Sequence, residues 1–170
     1  MTEDKMLKKI FVLLALFLAS CGFQPLYGHQ GEVMQEVQAV RVEPVSGEGG
    51  YQFGMVLKNK LNPTETQVRK KYKLEVTLNT PTFSNESIWK SNFGSIKKMN
   101  ITADYRLIDL KTNAVLVSSS VNSNGIFNLI RDPYATVVAE DKLYENLIRM
   151  MAEDIATHIL AYFKGVSSEG

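Results

Sequence analysis

The sequence predicts an α+β fold, a two-layer sandwich in which two helices pack on one face of a four-stranded mixed sheet. Residues 72–78 and 101–107 alternate apolar and polar side chains, the period of two that is typical of half-buried strands. Residues 135–163 place apolar side chains every three or four positions, which is typical of a long amphipathic helix. The predicted order is strand, helix, strand, strand, strand, helix, and two helices on one sheet face would bury both apolar stripes.

The first half of the domain is predicted to contain one short strand and one helix. Residues 37–42 form the strand, which Pro44 and the glycine-rich run 46–50 end. From Tyr51 the apolar spacing becomes helical, and Asn62-Pro63 ends this helix because a residue before proline avoids helical torsions. Its apolar face is formed by Phe53, Val56, Leu57 and Leu61.

The second half is predicted to contain a hairpin and the long helix. Residues 81–100 are mostly polar and form a long hairpin arm, and residues 101–121 form two paired strands around a turn in which Asn113 suits a left-handed torsion. Asp132 and Pro133 are suited to the cap and first turn of the last helix. Gly165 is predicted to end that helix, leaving a frayed tail at 166–170.

The N-terminal segment has the features of a secretion signal that precedes a lipid-bearing cysteine. Lysines are followed by an uncharged apolar run at 10–18 and by Leu18-Ala19-Ser20-Cys21. That run is shorter than the roughly 18–20 residues that cross a bilayer. We therefore expect a signal peptide at 1–20, a lipidated tether at 21–35 and a single domain at 36–165, with acyl chains such as palmitate attached through the thiol of Cys21.

Cys21 is the only cysteine, so its acylation leaves no thiol for a disulfide. Gly22 follows it where signals for retention in the inner membrane usually carry Asp, and this predicts the outer membrane of a Gram-negative envelope. The acyl chains would then anchor a domain on the periplasmic side or inside a barrel lumen.

Charge is balanced overall but unevenly distributed. Without residues 1–20 the chain has sixteen basic and sixteen acidic residues, which argues against nucleic acid as a partner. Residues 58–111 hold eleven Lys or Arg and five Asp or Glu, whereas residues 132–170 hold three and seven. Two interpretations are open: these are solvated faces, or the basic part meets an anionic ligand or lipid.

Residues with catalytic or metal-binding chemistry are few. His158 follows Asp154 by one helical turn, an arrangement that can orient an imidazole or be a surface pair. The sequence contains no Gly-x-Ser-x-Gly turn, phosphate-binding glycine loop or paired-cysteine metal motif. We expect no enzymatic activity, no cofactor and no metal.

The start of the mature chain, Cys21-Gly22-Phe23-Gln24-Pro25-Leu26-Tyr27-Gly28, resembles that of the lipopolysaccharide-assembly lipoprotein family LptE, in its alphaproteobacterial form. The order of strands and the long helix with Tyr134-Ala135 also fit. The resemblance implies two helices on a four-stranded sheet and a position inside the lumen of the large β-barrel translocon LptD. That translocon delivers lipopolysaccharide to the outer leaflet.

The resemblance also implies a lipopolysaccharide contact through basic residues near strand ends. Lys90 is the position that matches, with Trp89 beside it. A second basic position of the family falls near Glu140 here, with Lys142 close by, which weakens the case for direct lipid binding. Two other hypotheses remain: an auxiliary lipoprotein of another envelope lipid transporter, and a periplasmic hydrolase that uses His158.

Overall fold

A computed structural model describes residues 30–86, 96–129 and 132–168, and Gly31–Gly170 form one compact unit. The described residues form an α+β fold with three helices and a mixed sheet of five strands. The helices are α1 (Gln30–Gln38), α2 (Gly50–Leu61) and α3 (Pro133–Ser168). The strands are β1 (Val40–Val42), β2 (Tyr72–Leu78), β3 (Thr82–Glu86), β4 (Ile96–Asp109) and β5 (Val115–Asn128).

The central strand of the sheet is β4. On one side, its residues 96–100 pair antiparallel with β3 and its residues 103–109 pair antiparallel with β2. On the other side, it pairs with β5 over nearly its full length. Strand β1 pairs parallel with β2, and α2 makes the crossover that a parallel pair requires. Because β2 and β3 occupy the same side of β4, the sheet is four strands wide at one end, in the order β1-β2-β4-β5, and three at the other.

Strands β2 and β3 are successive parts of one edge that is interrupted near Pro81. The register changes by one residue, from Leu78↔Ala103 in β2 to Thr82↔Asn100 in β3. Proline has no N–H to donate to the ladder, so a break at this position is expected. The predicted four strands and the predicted hairpin arm are both present, and the arm supplies the fifth strand.

The boundary predicted for the tether is wrong. Residues 30–38 form α1, in which Val33 and Val37 lie one turn apart and are both buried in the core. The expected tether at 21–35 and strand at 37–42 therefore overlap a helix, and β1 begins only at Val40. Only two apolar positions lie on the buried side of α1, too few to stand out from its polar neighbours.

Helix α3 begins as the sequence predicts and ends later. The N–H of Tyr134 donates to the Asp132 carboxylate at 2.9 Å, so Asp132 caps the helix and Pro133 occupies its first turn. Gly165 does not end it, because the helix continues to Ser168. The helix end predicted at Gly165 is thus wrong, since a glycine inside a helix costs only about 1 kcal/mol. Of the tail predicted at 166–170, residues 169 and 170 lie outside the described residues.

The core lies between one face of the sheet and helices α2 and α3. The sheet and both helices contribute the largest fully buried side chains: Phe53, Leu57, Leu74, Met99, Ile101, Leu107, Ile148, Met151, Ile155 and Ile159. The predicted stripe of α2 is confirmed, with Phe53, Leu57 and Leu61 buried. Within the described ranges no helix, the 36-residue α3 included, is long and apolar enough to span a bilayer.

Candidate functional site

The sheet has a polar face that the described helices do not cover, which we call the open face. It carries alternate side chains of β2, β4 and β5, because neighbouring residues of a strand point to opposite faces. Its residues are Lys73, Glu75, Thr77, Thr102, Asp104, Arg106, Ser118, Ser120 and Asn122. All are exposed or half-buried. A sheet with one solvated face suits a domain that contacts water or another polar surface on this side.

One network of three charged side chains and one separate carboxylate lie on the open face. The Glu75 carboxylate accepts from Lys73 at 2.7 Å and from Arg106 at 3.0 Å. The hydrogen bond from Lys73 lowers the pKa of Glu75, and the charges of Lys73 and Arg106 act in the same direction. Asn79 donates to Asp104 at 3.0 Å, so most charges here already have a partner within the sheet.

A broad polar groove of about 720 Å³ runs over this face beside the serine run. Its walls include Glu43, Ser46, Glu75, Asp104, Arg106 and Ser120. The serine run consists of Ser118, Ser119 and Ser120 of β5, and all three residues are exposed. The hydroxyls and paired charges that line the groove can accept and donate hydrogen bonds. The groove offers no apolar pocket for an acyl chain.

The described residues of the hairpin arm, 82–86 and 96–100, form one end of the sheet together with residues 124–128 of β5. Phe83 and Phe127 form an edge-to-face pair with ring centroids 6.5 Å apart, and the Lys97 ammonium lies 5.8 Å from the Phe83 ring centroid. Phe83 and Ile126 are large apolar side chains that remain exposed there. The arm therefore combines apolar surface with the basic side chains of Lys97 and Lys98.

The opposite end of β4 is acidic and aromatic. A cleft of about 460 Å³ is lined by Glu32, Glu36, Tyr72, Asp109 and Tyr162, among others. The Tyr72 hydroxyl donates to Glu36 at 2.9 Å. Burial, together with this hydrogen bond and the negative charge of Glu36, raises the pKa of Tyr72 to about 12.

The described cations of the basic section 58–111 do not form one basic face. Lys60 on α2 pairs with Glu153 of α3, Lys71 pairs with Glu36 of α1, and Lys97 lies on the arm. The folded chain thus disperses these cations, and the interpretation as solvated faces fits better than a single anion-binding surface. Lys142 also has a local partner, Glu145, at 3.0 Å.

Three residues singled out from the sequence, Cys21, Trp89 and Lys90, lie outside the described residues. Segment 87–95 connects β3 to β4, and the strand ends that flank it pair as Glu86↔Ile96. Lys97 and Lys98 follow Ile96 in the described part of β4.

His158 has a structural partner that the sequence did not suggest. Its Nδ1 lies 2.9 Å from the hydroxyl of Tyr105, a residue buried between β4 and α3. Burial raises the pKa of Tyr105, and the imidazole satisfies a hydroxyl that would be costly to bury without a hydrogen bond. In the part of the chain that the structure describes, no three His, Cys, Asp or Glu side chains converge as metal ligands.

Comparison with known proteins shows a shared fold. The chain is 27% identical over 152 residues to the uncharacterized protein RP188 of Rickettsia prowazekii, covering 89% of this chain and 94% of that protein. A putative lipoprotein from Caulobacter crescentus aligns with a TM-score of 0.64 and 20% identity over 81% of this chain and 99% of its own. A minor lipoprotein from Acinetobacter baumannii aligns with a TM-score of 0.53 and 13% identity over 72% of this chain and 90% of its own.

An uncharacterized lipoprotein B from Nitrosomonas europaea aligns with a TM-score of 0.50 and 17% identity, over 74% of this chain and 83% of its own. No family model matches the chain. The fold is therefore one that structurally characterised bacterial lipoproteins share, and the sequence identities are too low to carry a function.

Two side-chain contacts described above have no local pattern that would predict them. In the sequence, Tyr105 belongs to the apolar set of its strand, and His158 lies one position before the apolar Ile159. Neither position indicates that the two side chains are in contact. The aromatic pair Phe83–Phe127 joins residues 44 positions apart and had no local signal. Long-range pairing of β3, β4 and β5 brings them together.

Proposed function

We propose that this chain is an outer-membrane lipoprotein that plugs an LptD-like β-barrel and assists its assembly, and so helps deliver lipopolysaccharide to the outer leaflet. The proposal rests on two observations made together. A lipobox ends at Cys21 and is followed by an LptE-like start of the mature chain, and the domain after it has a fold that bacterial lipoproteins share. The same combination supports lipid anchoring in the envelope.

The surface is compatible with a plug. The interior of an outer-membrane barrel is polar, so a domain inside it needs a polar surface with balanced charge. The open face, with its paired charges and hydroxyl row, meets this requirement. The exposed apolar groups of the hairpin arm lie at one end, where a plug would meet a lipid substrate.

Affinity purification of the full lipidated chain from envelope membranes tests the proposal. We expect a stoichiometric β-barrel partner of the LptD type. An inner-membrane complex of the ABC type in its place would favour the auxiliary lipoprotein of another lipid transporter. A chain that purifies without either partner would overturn the plug and favour the hypothesis of a periplasmic hydrolase that uses His158.

Replacing Cys21 with serine should abolish acylation and leave the precursor uncleaved. The reason is that the peptidase pathway needs the thiolate nucleophile, and a hydroxyl is a poor substitute. Metabolic labelling with a radioactive or alkyne fatty acid measures the effect. Ser20→Ala is the matched control, since it keeps a small residue before the cysteine and should retain the label. Label on the Cys21→Ser chain would contradict lipid attachment at this position.

Charge reversal of Lys90 is expected to weaken binding of purified lipopolysaccharide on the order of tenfold at low salt, because a charge-assisted hydrogen bond to phosphate is replaced by repulsion. The loss should shrink at physiological ionic strength, where screening acts within roughly 8 Å. Trp89 is expected to contact the sugar or acyl surface of the same ligand.

Lys111→Glu provides the control for Lys90→Glu, because it makes the same charge change in the turn between β4 and β5, at the far end of the sheet. It should leave lipopolysaccharide binding almost unchanged. Equal losses in both variants would show a nonspecific charge effect. Normal binding by Lys90→Glu at low salt would remove this contact while leaving the plug in place.

A further inference from the structure

Strand β5 forms a long free edge of the sheet that lacks the usual protection. Thirteen of its fourteen residues pair with β4 on one side, Leu116 being left out at a register shift, and no described strand pairs with the other side. At 22% charged residues about three charges would be expected in fourteen positions, yet β5 contains none and no proline. Natural proteins normally protect such edges with charges, proline or short strands, because unpaired N–H and C=O groups recruit other strands.

The other free edges of the sheet are protected. Strand β1 is only three residues long and carries Arg41, and β3 is five residues long. The unprotected length is thus confined to β5. An exposed edge of this kind is a template for strand addition, in which main-chain hydrogen bonds supply the affinity.

The pairing pattern identifies which backbone groups of β5 point outward. The Thr102 carbonyl accepts from Asn79 N–H at 2.9 Å, so the backbone groups of Thr102 face β2. Its partner across β4 and β5 is Asn122, which in an antiparallel ladder must then direct its own N–H and C=O away from β4. The outward groups therefore belong to alternate residues: Ser118, Ser120, Asn122, Asn124 and Ile126.

We infer that the free edge of β5 pairs with an extended, uncharged segment of the β-barrel partner, which adds a strand to the sheet. The inference rests on the proposed function. An uncharged edge suits an uncharged added strand, because no like charges then lie opposite each other in the cross-strand pairs. The added strand would place polar side chains beside Ser120 and Asn122 on the open face, and small apolar ones beside Val121 on the helix face.

The extent of the edge favours this occupant over a second copy of the chain. Pairing along one strand edge covers less surface than the roughly 1,200–2,000 Å² buried by a stable interface between two free proteins. A partner that already encloses the domain supplies the remaining contacts, and the strand then binds at high effective concentration.

The double variant Ser120→Pro with Asn124→Pro tests the edge, with Ser120→Ala and Asn124→Ala as its control. Proline removes two outward N–H donors and leaves the ladder to β4 intact, since these N–H groups do not take part in it. We expect roughly tenfold weaker retention of the barrel by the proline variant and wild-type retention by the alanine variant. Equal retention in both would overturn strand addition while leaving the plug standing, and a wild-type chain that retains no barrel would overturn the plug itself.

Amide hydrogen exchange of the wild-type chain tests the same inference without substitutions. In the free lipoprotein the amides of Ser118, Ser120, Asn122 and Asn124 should exchange fast, and those of the residues between them slowly. In the barrel complex the fast set should slow by at least about tenfold. Unchanged fast exchange in the complex would overturn the inference, and so would a free chain that is a dimer and that the proline variant makes monomeric.

Discussion

Met151→Ala is expected to lower the free energy of unfolding by about 2–5 kcal/mol, the range for removing a large buried side chain from a packed core. Met151 lies on α3 with none of its surface exposed, in the layer between the helices and the sheet. A domain of this size has a total stability of roughly 5–15 kcal/mol, so the loss is a large part of it. Urea denaturation followed by circular dichroism measures the change.

Met150→Ala is the matched control, because the neighbouring methionine is 55% exposed on the same helix. The two substitutions remove the same atoms and change helix propensity equally, so their difference isolates burial. We expect less than about 0.5 kcal/mol for Met150→Ala, as for most surface positions. Similar losses from both variants would mean that α3 packs in another rotation on the sheet.

Gly50→Ala should destabilise the domain by about 1–3 kcal/mol or more, because the first turn of α2 approaches the preceding loop too closely for a side chain. A Cβ at Gly50 would overlap the carbonyl oxygen of Val45, and this neighbour is backbone that cannot rotate away. Relief requires a shift of the loop that joins β1 to α2. The same denaturation measurement gives the loss.

Gly54→Ala, one helical turn later, should act in the opposite direction. A Cβ there would meet only the Cγ2 of Val45 at 3.5 Å, an ordinary van der Waals contact. Alanine in a helix is then favoured by about 0.5–1 kcal/mol over glycine. A gain for Gly54→Ala beside a loss for Gly50→Ala is the expected pair, and a neutral Gly50→Ala would contradict the close approach to Val45.

Local patterns in the sequence were sufficient where the determining interaction is local. The cap of α3 at Asp132 and the turn at Asn113, whose φ is 57°, depend on residues within a few positions and were predicted correctly. The alternation in β2 and β4 and the buried stripe of α2 also follow from a single period in one segment. The start of the domain was missed, because α1 buries only Val33 and Val37.

For the candidate site, the sequence by itself predicts lipid attachment at Cys21 and a lipopolysaccharide contact at Trp89 and Lys90, and these remain predictions. Only the tertiary structure decided how the surface of the described residues is arranged. It aligned β2 and β3 on one side of β4, left the uncharged edge of β5 free, and set His158 against Tyr105. The physical reason is that strands pair through backbone groups, whatever their side chains are. Residues far apart in the sequence can therefore pair without any local sequence pattern that predicts it.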